Sequence, residues 1–186
     1  VATLLDHVFR KLGQKTSIAG NTGLSLSQLM AEQVNLRARI FLEVSSFQSR
    51  NLSCLNPESV IWTNLAEDHL DYHGTMEDYF RSKCSLLQRC QKEIFVGQSV
   101  LRWAKRFSVN LPDQVSIVSP IPGPIPSLCE DHFLNTHPQR ENFALASAFA
   151  ISLGISESEF ILASNDYQPE PHRLRKVHQL EKVSFW

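Results

Sequence analysis

The sequence predicts an α/β fold: a mostly parallel sheet with helices on both faces, and a small additional β subdomain. Three observations support this fold class. Short apolar runs over 38–44 and 59–64 have the length and composition of buried strands. Strand-type runs alternate with segments of helical period, which favours parallel strands joined by helices. Polar residues come directly after each of the two runs. This is the arrangement at the carboxyl edge of an open α/β sheet, where ligands bind.

Local signals place the remaining elements. The best-marked helix, 75–90, has Thr75 as a possible N-cap and two acidic residues, Glu77 and Asp78, in its first turn. Alternating prolines exclude a helix or a central strand over 119–138. Other helices are predicted at 4–12, 25–33, 98–108, 140–153 and 156–163, and other strands at 16–19, 93–96, 115–118 and in the tail 176–186.

Composition narrows the function classes. Charged residues make up 20% of the chain and the net charge is −1, so no nucleic-acid partner is indicated. No apolar stretch approaches the ~20 residues that a membrane span needs, and we see no signal-peptide pattern in residues 1–186. The four cysteines lack metal-ligand spacing, and we expect Cys84 and Cys90 to pack as small apolar residues. We expect a cytoplasmic monomer without nucleic-acid or membrane partners.

Two strand ends carry the candidate chemistry. Glu43 closes the run 38–44, and the segment 63–74 supplies three carboxylates and two histidines directly after the next strand. Carboxylates at neighbouring strand ends suit Mg²⁺, which prefers oxygen ligands. Two simpler interpretations stay open from the residues alone: the acidic segment as a solvated loop, and Glu43 with Ser45 and Ser46 as caps of the next helix.

Several motifs follow one another along the chain, in the order Gly20-Asn21-Thr22-Gly23, Glu43-Val44-Ser45-Ser46-Phe47-Gln48, Asn64-Leu65-Ala66-Glu67-Asp68-His69-Leu70-Asp71-Tyr72-His73-Gly74, Tyr79 with Lys83, Asn142, and Pro171-His172-Arg173. This order resembles the central, ATP-binding domain of the Mur ligases of peptidoglycan synthesis. The Gly-Asn-x-Gly loop at 20–23, the Ser-Ser-Phe-Gln form at 45–48 and the Pro-His-Arg turn at 171–173 are most similar to the branch that adds D-glutamate.

The resemblance implies an ATP-dependent amide ligase that joins D-glutamate to UDP-N-acetylmuramoyl-L-alanine through an acyl phosphate. It further implies that residues 1–186 are a central-domain fragment of a three-domain enzyme. The family's Gly-rich phosphate loop, N-terminal domain and C-terminal domain have no counterpart in the sequence. Because the phosphate loop is missing, we expect the 186-residue chain alone to be inactive. From the start at Val1 and the apolar ending at Trp186 we also expect a piece of a longer protein.

By the same resemblance, Glu43, His69 and Lys83 are expected to hold two Mg²⁺ ions. His69 and Lys83 are the expected catalytic residues, and Lys83 is expected to be carbamoylated, since a carbamate is an anionic oxygen ligand whereas an ammonium group repels Mg²⁺. Without the resemblance, Lys83 is better interpreted as a surface lysine that extends its amine to solvent.

The remaining expected contacts are to substrate and nucleotide. Asn21 and Ser45 are expected to bind substrate, and Gln139, Asn142 and Arg173 to bind ATP. The match is imperfect before the long helix, where Gln139 stands in place of the family's first asparagine. Two alternatives remain: a different member of the family, such as the ligase that adds the third residue, or a non-catalytic α/β binding module without a phosphate loop.

Overall fold

A computed structural model describes residues 1–32, 38–168, 178–180 and 183–185. The strands are β1 (Thr16–Gly20), β2 (Arg39–Glu43), β3 (Val60–Trp62), β4 (Ile94–Gly97), β5 (Val115–Val118), β6 (His178–Leu180) and β7 (Val183–Phe185). The helices are α1 (Ala2–Lys11), α2 (Leu26–Ala31), α3 (Ser46–Asn51), α4 (Leu70–His73), α5 (Met76–Cys84), α6 (Gln98–Arg106), α7 (Gln139–Ser152) and α8 (Glu157–Ser164).

Parallel pairing is confirmed, but the strands form two parallel sheets rather than one. β1 pairs with β2, and β4 lies between β3 and β5. In the described part of the chain no ladder joins β2 to β3, and both strands line a cleft. β6 and β7 form a separate antiparallel pair within the predicted strand-like tail.

Helices cover both faces of the three-stranded sheet that β4 centres, as predicted. All four residues of β4 are buried, as expected for a parallel strand covered on both sides. Phe95 joins a core cluster with residues of α1, α7 and α8, whereas Ile94 and Val96 join a second cluster with residues of α5 and α6. This alternation follows from the two-residue period of a strand.

Helix caps match the sequence signals closely. Thr75 accepts a hydrogen bond from the backbone N–H of Asp78, and Ser156 forms a capping box with Glu159. The helix predicted over 75–90 is shorter, since α5 ends at Cys84 and a 3-10 turn follows at Leu87–Arg89. Ser85, directly after α5, donates its hydroxyl to the carbonyl oxygens of Ser49 and Ser82.

The cysteines lie as expected. Cys84 and Cys90 are buried in the second core cluster, and Cys54 and Cys129 are exposed; all four are free thiols. No helix within the described residues is long and apolar enough to cross a membrane.

Candidate active site

The candidate site is a cleft of about 960 Å³ between β2 and β3. Strands, helices and loops all contribute to its walls, with β2 and β3 lining it along their full length. The polar side chains predicted from the sequence that line this cleft are Asn21, Glu43, Ser45, His69, Lys83 and Asn142. The structure therefore brings six of the eight predicted residues to one cavity.

Glu43 is held by the loop that follows β1. Asn21 Nδ2 donates to Glu43 Oε1 at 3.1 Å, and the Thr22 hydroxyl donates to Oε2 at 2.8 Å. The loop can approach because Gly20, at φ 103°, has no side chain: a Cβ there would lie 2.2 Å from the backbone oxygen of Glu43. Each carboxylate oxygen is thus oriented by one hydrogen bond. Thr22 was not predicted, since only the folded loop brings it to Glu43.

His69 stands at the start of α4 in the left-handed region, at φ 53°. Its backbone N–H donates to Asp68 Oδ1 at 2.8 Å, and its Nδ1 lies 3.4 Å from the same oxygen. The Phe47 ring packs against the imidazole at a centroid distance of 5.1 Å. The side chain is 44% exposed, so part of the ring remains accessible to a ligand.

Lys83 is not the solvent-reaching lysine that its residue type alone suggested. It lines the cleft, and its Nζ lies 5.4 Å from the centroid of the Tyr79 ring. Burial lowers the pKa of Lys83, and the carboxylates of Asp68 and Glu43 act in the opposite direction. A lowered pKa increases the neutral fraction of the amine, which is the form that can act as a nucleophile.

The other predicted residues have mixed placements. Ser45 caps α3 and forms a capping box with Gln48, so the capping interpretation is confirmed for Ser45 but not for Glu43, whose carboxylate bonds to Asn21 and Thr22 instead. Asn142 lines the cleft and donates to Gln139 Oε1 at 3.2 Å, whereas Gln139 itself does not line it. Arg173 lies outside the described residues.

Sequence reasoning also missed the packing beneath the site. His73 and Tyr79 are buried, and their rings lie 5.0 Å apart between centroids. Burial lowers the pKa of His73, which keeps the ring neutral, and raises the pKa of Tyr79. The four-residue spacing of Tyr79 and Lys83 indicated that both lie on one face of a helix. No pattern in the sequence indicated that His73 is buried.

The described residues do not form a closed metal cage. Within the ranges that the structure describes, no group of three or more His, Cys, Asp and Glu side chains is arranged to hold a metal ion. Mg²⁺ is commonly bound through one or two carboxylates, with waters and substrate phosphates completing its octahedron. Glu43, a hydrogen-bonded carboxylate at a strand end, fits this open type of site.

Comparison with known proteins defines the class. The model of the family described as "Mur ligase middle domain" matches residues 1–119, and the chain belongs to this family. It is 28% identical, over its whole length, to a UDP-N-acetylmuramoylalanine–D-glutamate ligase of Prochlorococcus marinus, and 25% identical over 98% of its length to the ligase of that name in Gloeobacter violaceus. The chain spans about 44% of the length of each of these relatives.

Solved structures support the fold. A UDP-N-acetylmuramoyl-L-alanyl-D-glutamate–2,6-diaminopimelate ligase matches 97% of the chain with a TM-score of 0.71 at 19% identity. MurF from Acinetobacter baumannii also matches 97%, with a TM-score of 0.65 at 15% identity. The chain covers 46% of each of these structures. At this level of identity the likeness concerns the fold, and it agrees with the parallel α/β architecture.

Proposed function

We propose that the full-length protein containing this chain is an ATP-dependent ligase that adds D-glutamate to UDP-N-acetylmuramoyl-L-alanine in peptidoglycan synthesis. The proposal rests on one observation: Glu43, His69 and Lys83, which belong to three different elements, all line one cleft. The names of the relatives support D-glutamate as the added residue. A cytoplasmic location and a monomeric state belong to the same proposal.

Glu43 and His69 are the proposed direct ligands of two Mg²⁺ ions, and Lys83 would join them as a carbamate. Bound Mg²⁺ would neutralise phosphate charge and polarise the phosphoryl and carboxyl oxygens. Asn21 and Thr22 support this role because each fixes one oxygen of Glu43. Phe47 supports it by packing on the His69 imidazole, which stays partly accessible.

The carbamate role of Lys83 is supported by its environment. Attack of the neutral amine nitrogen on the carbon of CO₂ forms a C–N bond, and loss of one proton leaves a carbamate anion. Burial favours the neutral amine that this step requires. The product is an oxygen ligand with the charge that a divalent cation needs, in place of a cation that would repel it.

The proposed reaction has two steps. An oxygen of the substrate carboxylate attacks the γ-phosphorus of ATP, the bond to the ADP oxygen breaks, and an acyl phosphate forms. The amine nitrogen of D-glutamate then attacks the acyl carbon, loses a proton, and phosphate leaves with its oxygen. Such a reaction depends chiefly on holding anionic groups in line and compensating their charge. Residues from several elements converge on the cleft, so they can supply that positioning.

Substrate and nucleotide contacts are proposed for the remaining residues. Asn21 and Ser45 would face the substrate, although the Ser45 hydroxyl also caps α3. Asn142 would contact the nucleotide from the cleft wall, with Gln139 orienting its amide through their hydrogen bond. Arg173 is proposed for the ATP phosphates because its planar fork suits phosphate oxygens.

The test is ligation by the full-length protein. We expect phosphate release from ATP to require both UDP-N-acetylmuramoyl-L-alanine and D-glutamate. Release only with a D-glutamyl acceptor and a diamino acid would instead support the branch that adds the third residue. No release with either pair would favour the non-catalytic module. The printed sequence has no Gly-x-x-x-x-Gly-Lys-Ser/Thr run, so the 186-residue chain alone is expected to leave ATP intact.

Chemical rescue tests the carbamate. Lys83→Ala in the full-length protein is expected to lose activity and to regain part of it with short-chain carboxylates, which can replace the missing anionic oxygens. Lys105→Ala, at an exposed position on α6, is the matched control and should keep full activity. Loss without rescue would count against the carbamate, and retained activity in Lys83→Ala would count against any role of Lys83 in the reaction.

A further inference from the structure

His73 lies beneath the site and links two helices that flank it. It is the last residue of α4 and is 5% exposed. Its Nε2 lies 2.9 Å from the hydroxyl of Ser46, the buried first residue of α3. Its Nδ1 lies 3.5 Å from the Ser82 hydroxyl of α5, which itself donates to the carbonyl oxygen of Asp78. Ser82 can therefore accept from Nδ1–H, which leaves Nε2 to accept the Ser46 hydroxyl proton.

The His73 ring also belongs to an aromatic cluster, which consists of Phe47, Tyr72, His73 and Tyr79. Its centroid lies 5.5 Å from Phe47, 4.8 Å from Tyr72 and 5.0 Å from Tyr79. Aromatic contacts in this distance range favour particular relative orientations, so they fix geometry as well as bury area.

This cluster touches two of the candidate ligands directly. Phe47 packs on the His69 imidazole, and Tyr79 meets the same imidazole edge-on at a centroid distance of 6.0 Å. Tyr79 also carries the Lys83 ammonium over its ring. The third candidate, Glu43, ends β2 only three residues before Ser46, the residue that bonds to His73. The buried imidazole of His73 therefore contacts residues that pack on His69 and Lys83, and a residue that closely follows Glu43 in the chain.

We propose that His73 is a positioning residue for the cation site: it fixes His69 and Lys83 through the aromatic cluster and the end of β2 through Ser46. The inference rests on the proposed function, since it concerns the same cleft. Buried groups that orient metal ligands commonly change metal affinity by about 10- to 100-fold when they are replaced. His73 should therefore affect cation binding beyond its effect on stability.

The test measures Mn²⁺ binding to the full-length protein by electron paramagnetic resonance, with the melting temperature recorded in parallel. His73→Phe keeps a ring but loses the hydrogen bonds to Ser46 and Ser82. Ser46→Ala keeps His73 and removes only the bond between these two residues. We expect each to weaken Mn²⁺ binding by about ten-fold or more. The double variant should bind Mn²⁺ no more weakly than His73→Phe alone, because the hydrogen bond that Ser46→Ala removes is already lost in His73→Phe.

His132→Phe is the matched control. His132 is partly buried and, like His73, has a pKa lowered by burial, but it lies before the 3-10 turn Phe133–Asn135 and bonds to the carbonyl oxygen of Asn165. We expect it to lower the melting temperature without changing Mn²⁺ affinity. If His73→Phe fails to fold, Ser46→Ala carries the test.

The outcomes separate the two proposals. Glu43→Gln should abolish tight Mn²⁺ binding if the cation site is assigned correctly, and its failure to do so would overturn the proposed site itself. If Glu43→Gln abolishes binding but Ser46→Ala and a folded His73→Phe bind Mn²⁺ like the wild type, the positioning role of His73 is wrong while the site stands. Equal loss in His132→Phe would show a general stability effect and would also refute the inference.

Discussion

Gly97 offers a sharp test of the geometry that places the candidate site. It ends β4 with an ordinary φ of −74°, so alanine is not excluded by backbone conformation. A Cβ there would nevertheless lie 2.0 Å from the backbone oxygen of Thr63, the residue that follows β3. An ordinary contact begins at 3.4 Å, so Gly97→Ala must push the two strand ends about 1.4 Å apart.

The expected cost follows from that displacement. Overpacking in a tightly packed region typically destabilises by about 1–3 kcal/mol. For a chain of this length each kcal/mol lowers the melting temperature by about 2–4 °C, so we expect a drop of roughly 2–12 °C. Thermal unfolding followed by circular dichroism measures it. The displaced Thr63 also begins the loop that leads to His69, so Mn²⁺ binding should weaken in the same variant.

Ser116→Ala provides the control, because Ser116 is an exposed residue of the adjacent strand β5. Surface changes of this kind are usually within about 0.5 kcal/mol of the wild type. A melting temperature of Gly97→Ala equal to that of Ser116→Ala would refute the close approach of β3 and β4 at the site.

Two further predictions concern titration and thiol exposure. Burial lowers the pKa of Lys83, so between its folded-state and unfolded-state pKa values the unfolded chain binds more protons than the folded chain. The free energy of unfolding therefore rises with pH in that range. Below the range Lys83 destabilises the fold to the full extent, and the effect fades as the pH rises towards 10.5. Lys83→Met should therefore be more stable than the wild type near pH 7 in CO₂-free buffer, with an advantage that shrinks by pH 10 in urea melts; a constant difference would contradict this. Ellman's reagent should modify Cys54 and Cys129 quickly, and Cys84 and Cys90 only after unfolding, because burial also raises the pKa of the latter pair; four fast thiols would contradict the packing.

Much of the fold was predictable because its signals are local. The caps at Thr75 and Ser156 need only a hydroxyl followed by an acidic residue three positions on. The strands β2 and β3 were visible as short apolar runs. The cleft was partly predictable as well, since the carboxyl ends of parallel strands meet at one edge and place Glu43 beside the loop after β1.

The remaining features depend on contacts between residues distant in sequence. The bond from Thr22 to Glu43 requires the folded loop. The burial of His73 requires α3, α4 and α5 to pack together, and nothing in its immediate neighbours signals it. The early end of α5 coincides with bonds from the Ser85 hydroxyl to two backbone oxygens, a competition that helical periodicity does not report.

The most direct test of the central claim is the position of the cation. Crystals of the full-length protein grown with Mn²⁺ and a non-hydrolysable ATP analogue would locate the metal by anomalous scattering. We predict peaks within coordination distance of a Glu43 carboxylate oxygen and of a His69 ring nitrogen, with Lys83 carbamate density beside them. An ordered nucleotide whose metal contacts none of these three side chains would contradict the account.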